Sequence, residues 1–108
     1  SFLESGSPVH HNHTYHAVPS GQLTSGVWDT TPMTTKSGPF MRHEMMSILE
    51  GTVTIREEGV GDHVFMAGDT FLVLNGAPIS WSNEEYVRKY YVIFEPDEAM
   101  ARVADAAE

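Results

Sequence analysis

The chain predicts an all-β fold, a sandwich or a barrel. Three observations carry this. Apolar and polar residues alternate with a period of two between Phe40 and Gly76, β-branched and aromatic residues fill those runs, and glycine-bearing turns recur about every eight to twelve residues. At 108 residues the chain fits one domain, and a domain of that size buries roughly 65% of the surface its unfolded chain exposes.

In chain order, residues 1–20 form an amino-terminal arm with His10, His11, His13 and His16 between Pro8 and Pro19. If residues 9–18 are extended, His11, His13 and Tyr15 share one face, and His10, Asn12 and His16 share the other. Residues 21–95 are the expected barrel core. Within it, residues 21–29 read as a strand ending in Val27-Trp28-Asp29. Gly26 marks a bulge or a close backbone approach, and Trp28 is a packing anchor. Residues 33–39 are a short strand or loop. Residues 41–49 and 52–56 are expected to form one hairpin at Gly51, and residues 63–66 and 70–74 a second around Ala67-Gly68-Asp69. Residues 79–82 form a short strand with Trp81. Residues 87–95 form the clearest strand, whose unbroken apolar run predicts burial on both faces. Pro96 ends it, and Asp97 caps a short carboxy-terminal helix over residues 97–107 that has acid in its first turn.

Charge excludes several functions. The net charge is −9, and Lys36, Arg42, Arg56, Arg88, Lys89 and Arg102 are the only basic residues besides histidine. Neither nucleic acid nor an anionic membrane is therefore an expected partner, because both need a basic footprint. The absence of cysteine removes disulfides and thiolate chemistry. No apolar run reaches membrane-spanning length and no leader is visible, so the expected location is the cytoplasm.

Glu44 is the candidate functional residue. It lies mid-strand, and alternation turns it to the same face as Met46 and Ile48, the face that should be buried. An unpaired carboxylate there costs several kcal/mol, so it needs a partner, a metal or a wet cavity. Arg42, two residues away on the same face, is the expected partner. His43 adjoins Glu44 and points the opposite way, and His63 is expected to be solvated.

Four segments resemble the cupin superfamily, in particular its small single-domain members related to the cupin domain of (S)-ureidoglycine aminohydrolase and to ethanolamine-utilisation cupins. They are Gly26-Val27-Trp28-Asp29; Glu44 with Ser47-Ile48-Leu49-Glu50-Gly51 and Val53-Thr54-Ile55; Ala67-Gly68-Asp69 with Asn75-Gly76 and Trp81; and Val87-Arg88-Lys89-Tyr90-Tyr91-Val92-Ile93. The resemblance implies a double-stranded β-helix, or jelly-roll barrel, often dimeric, with a pocket at one open end. It also implies a ligand pattern for metal-binding members: two histidines one residue apart, a glutamate seven residues before the turn glycine, and a later histidine. Glu44 lies seven residues before Gly51. The paired histidine positions fall among Ser37, Gly38, Pro39 and Phe40, the late one on Ile79, and the second motif's proline is replaced by Leu74.

No metal and no other cofactor is therefore expected, since one carboxylate does not hold a divalent ion. The alternative is a divalent transition metal on Glu44, His11 and His13. The leading expectation is a small-molecule-binding homodimer whose pocket is formed by Glu44, Arg42, Met46, Ile48, Phe71, Val73, Ile79, Trp81 and Tyr91. Spacing leaves open which of Lys89, Tyr90 and Tyr91 faces inward. The alternative function is an enzyme for a small nitrogenous or carboxylated metabolite, working through a metal on non-standard histidines or through acid/base chemistry by Glu44 with a tyrosine or lysine.

Overall fold

The computed structural model describes residues 3–95. Among them the strands are β1 (Leu3–Ser5), β2 (His10–Ala17), β3 (Leu23–Thr30), β4 (Met33–Thr35), β5 (Gly38–Pro39), β6 (His43–Glu50), β7 (Thr52–Glu57), β8 (Gly61–Met66), β9 (Thr70–Val73), β10 (Pro78–Asn83) and β11 (Val87–Phe94). One antiparallel sheet has the order β1-β4-β10-β7-β8, with β5 also paired to β10; the other has the order β2-β3-β11-β6-β9. This is the two-sheet jelly roll that the resemblance implies. The expected helix over residues 97–107 lies outside the described residues. No helix among the described residues is long and apolar enough to cross a membrane.

Neither expected hairpin forms. β6 pairs with β11 and β9, whereas β7 pairs with β10 and β8. The chain thus changes sheet at Gly51 and changes back between β8 and β9. The two corners bond to each other: Ala67 N donates to Gly51 O, Gly68 N to Ile48 O, and Ile48 N to Asp69 O. Gly51 has φ +88°, and a Cβ there would lie 2.3 Å from Tyr86 O, so this corner requires glycine both by conformation and by space. The hairpins among the described residues are β2–β3 and β7–β8, the latter across the loop that contains Glu58, Gly59 and Val60.

Alternation holds within the strands. On β6, Glu44, Met46 and Ile48 are buried, and with Met33, Val53, Ile55, Val73, Ile79, Trp81 and Val87 the two apolar residues fill the space between the sheets. Each such side chain contributes about 1.5–3 kcal/mol when fully buried. β11 departs from expectation. Val87, Lys89 and Tyr91 are buried, but Arg88 and Phe94 are exposed and Tyr90 and Val92 only half-buried, because its second face is the outer face of a sheet. The expected arm contributes β1 and β2, and β2 forms an edge strand with all its residues exposed.

Candidate functional site

The inner face of the second sheet builds the site in rows. The register places Ile48, Lys89, Trp28 and Asn12 side by side, then Met46, Tyr91, Gly26 and Thr14, then Glu44, Ile93 and Thr24. Lys89 and Glu44 belong to the outer two rows and lean toward each other over the Met46–Tyr91 row. Lys89 Nζ donates to Glu44 Oε2 at 2.6 Å and lies 3.5 Å from Met46 Sδ. Both side chains are buried, Glu44 at 2% exposure and Lys89 at 10%. Arg42 Nε approaches the other oxygen, Glu44 Oε1, at 3.4 Å, from a side chain that is 45% exposed.

Two indoles enclose the ammonium. Trp28 on β3 and Trp81 on β10 meet edge to face across the sheets, their centroids 5.6 Å apart and their planes at 85°. Lys89 Nζ lies 4.7 Å from the first ring centroid and 5.0 Å from the second, within cation–π range. Trp81 is oriented by Asn83, which accepts from its Nε1 at 2.8 Å and donates to Thr31 O and Glu85 O. His10 stacks on Trp28 with centroids 5.2 Å apart. Burial pushes the Lys89 pKa down from its ordinary value, and the charge and hydrogen bond of Glu44 oppose this.

Gly26 opens the way for the remaining polar pair. It stands opposite both Tyr91 and Thr14, and a Cβ there would lie 2.8 Å from the Tyr91 hydroxyl and 2.3 Å from His13 O. With hydrogen at that position, Tyr91 OH reaches across to donate to Asn12 Oδ1 at 2.7 Å. The close approach expected at Gly26 is thus made by β2 and by the Tyr91 side chain.

These groups face a cavity of about 860 Å3, whose rim is the segment from Thr35 to Arg42 that leads into β6. Of the expected site residues, Glu44, Arg42, Met46, Ile79, Trp81 and Tyr91 line it. Three others do not. Ile48 packs in the core, and Phe71 and Val73 face a smaller cavity of about 310 Å3 with Phe65 and Ile55. The reason is strand order: the corner at Gly68 carries β9 to the edge beyond β6, on the side away from β11 and Lys89. Lys89, Trp28, His10, Asn12 and Lys36 line the cavity without having been expected there. Alternation from a buried Val87 is the signal that could have placed Lys89 inside.

The alternative metal set is not brought together. His11 Nδ1 bonds Asp29 Oδ1 at 2.8 Å, and His13 packs on Tyr15; neither lines the cavity with Glu44. Glu44 already has two cationic partners. Among the described residues no three His, Asp or Glu side chains converge as metal ligands, so this donor set does not fit the ion held by metal-binding cupins. The rim positions Ser37, Gly38, Pro39 and Phe40 and the later Ile79 do line the cavity, but their side chains are not metal ligands. His43 lies off the site, its Nδ1 accepting from Asn75 N at 3.1 Å. The His63 side chain is partly open to solvent and also pairs with Glu57 Oε1 at 3.2 Å.

No curated protein matches the chain. Among solved structures, a protein of unknown function from Pseudomonas syringae is 34% identical, with a TM-score of 0.81 over 85% of this chain and 39% of that one. The chain therefore spans 39% of that relative's length. The EutQ protein of Clostridium difficile shares the fold at 22% identity and a TM-score of 0.70, over 84% of this chain and 71% of its own. A putative ethanolamine utilization protein of Salmonella typhimurium does so at 20% and 0.69, over 89% and 76%. The family model for the EutQ-like cupin domain matches residues 18–91, and with the two-sheet jelly roll this shows that the chain belongs to the EutQ-like cupin family.

Proposed function

We propose that the protein binds a small organic molecule in the 860 Å3 cavity, and that the Lys89 ammonium, not a histidine-held ion, supplies the cation beside Glu44. The observation that carries this reading is the 2.6 Å Glu44–Lys89 contact between two indole faces inside an open cavity. The lining is mostly apolar with a few placed polar groups, the usual make-up of a ligand site. Elemental analysis of protein purified without a histidine tag tests the metal-free part: substoichiometric transition metal is expected, and a stoichiometric ion overturns it.

One observation favours catalysis as a second reading. A lysine whose pKa is lowered by burial, bonded to a carboxylate, can exchange a proton with a bound substrate. A homodimer is the proposed assembly. Leu23, Met45, Leu72 and Phe94 are exposed on one sheet, a patch that a second copy would cover.

A further inference from the structure

We infer that the ligand is an organic carboxylate with an apolar or aromatic body, its carboxylate held at the cavity rim by Arg42 and Lys36 and its body laid against Phe40, Trp28 and Trp81. This rests on the proposed reading of the cavity as a ligand site and adds the chemical class.

Charge is the first argument. The chain carries 15 acidic and 6 basic side chains, so an average stretch of its surface is negative. The cavity reverses this: among the described residues Lys36, Arg42 and Lys89 line it, and Glu44 is the one carboxylate. Half of the chain's lysines and arginines thus face one cavity whose lining has a surplus of two positive charges. Electrostatic focusing in a cleft walled by indoles raises the local concentration of anions.

Geometry locates the anion. Glu44 takes its short contact from Lys89, and Arg42 approaches it more loosely, nearest through Nε at 3.4 Å. Among the described residues neither the Arg42 nor the Lys36 side chain makes a hydrogen bond, and Arg42 has one ion pair, to Glu44. Both side chains are exposed at the rim. A guanidinium that stands at a cavity rim with no hydrogen bond of its own is the group that grips a carboxylate through two oxygens. Inward from the rim the walls become aromatic, with Phe40 beneath the Arg42 guanidinium at 5.9 Å and then the two indoles.

The chain's two tryptophans, Trp28 and Trp81, both line the cavity, so intrinsic fluorescence reports its occupancy directly. The experiment titrates matched acid and amide pairs, phenylacetate against phenylacetamide and acetate against acetamide, and monitors the same pairs by ligand-observed NMR. Phenylacetate is expected to bind at least about tenfold more tightly than its amide, a preference that corresponds to about 1.4 kcal/mol. Added salt should weaken that preference. Arg42→Gln should abolish most of it and Lys36→Gln part of it; both side chains are exposed, so both variants keep the fold. Equal binding of acid and amide overturns the carboxylate class and leaves the cavity reading standing. Displacement of phenylacetate by inorganic phosphate at lower concentration than the acid itself overturns the carboxylate in favour of a phosphate. Failure of every pair to bind overturns both readings.

Discussion

Replacing Lys89 with methionine is the sharpest test of how Glu44 is tolerated inside the barrel. The substitution keeps an unbranched apolar chain between Trp28 and Trp81 and removes only the charge. At 2.6 Å the gross attraction lost is about 6 kcal/mol at an effective dielectric of about 20. Arg42 remains 3.4 Å from the other oxygen, but a half-exposed guanidinium is screened and recovers only part of this. Breaking a buried pair by removing one partner costs about 3–5 kcal/mol, and the remaining arginine places this variant near about 3 kcal/mol. For a domain of this size that is a melting-point drop of about 12–24 °C. The double variant Glu44→Leu/Lys89→Met removes both charges together and should return to within about 1 kcal/mol of the parent, since apolar replacement of a buried pair is often neutral. Urea unfolding followed by circular dichroism measures both. A Lys89→Met variant as stable as the parent would refute the argument that the ammonium compensates the buried carboxylate.

Three further outcomes are expected. Gly26→Ala should destabilise the protein by about 2–3 kcal/mol, seen as a melting-point fall of about 8–24 °C, because its methyl meets His13 O and the Tyr91 hydroxyl; unchanged melting would show that β2 can move away freely. Stability should depend on pH through Asp29. Against burial, which raises it, hydrogen bonds from His11 and Tyr86 hold its folded pKa below the ordinary 3.8, so its contribution is present above 3.8 and is lost as pH falls through the lowered folded value; Asp29→Asn should flatten that acid limb, and parallel profiles would exclude the shift. Light scattering at micromolar concentration should report a homodimer, and a monomer would remove the proposed assembly.

Period-two alternation is enough to bring Glu44, Met46 and Ile48 to the buried face, because side-chain direction along a strand is a local property. Sheet membership is not local. The same glycine-bearing turn that closes a hairpin can pass a chain from one layer to the other, and nothing in Glu50-Gly51-Thr52 distinguishes the two. Phe71 and Val73 do pair with Met46 and Glu44, but on the side of β6 away from Lys89, where they face the smaller cavity. Lys89 is hidden by a different cause. It opens an apolar run that suggests burial on both faces, so alternation gives its direction only once Val87 is known to point inward. Trp28 reads as a packing anchor, yet its indole also walls the cavity, since one large ring can serve both. The absent histidines are the most legible feature, because the spacing from Glu44 to Gly51 fixes where they would stand.

The paired corners at Gly51 and Gly68 also bear on how the molecule is assembled over time. Among the described residues only β2 with β3 and β7 with β8 pair as chain neighbours, and the two crossings bond to each other, so neither layer can be completed from neighbouring segments alone. Loop closure between distant parts of the chain has to come before the contacts that reward it, which places such a topology among slow, highly cooperative folders, on the scale of milliseconds to seconds.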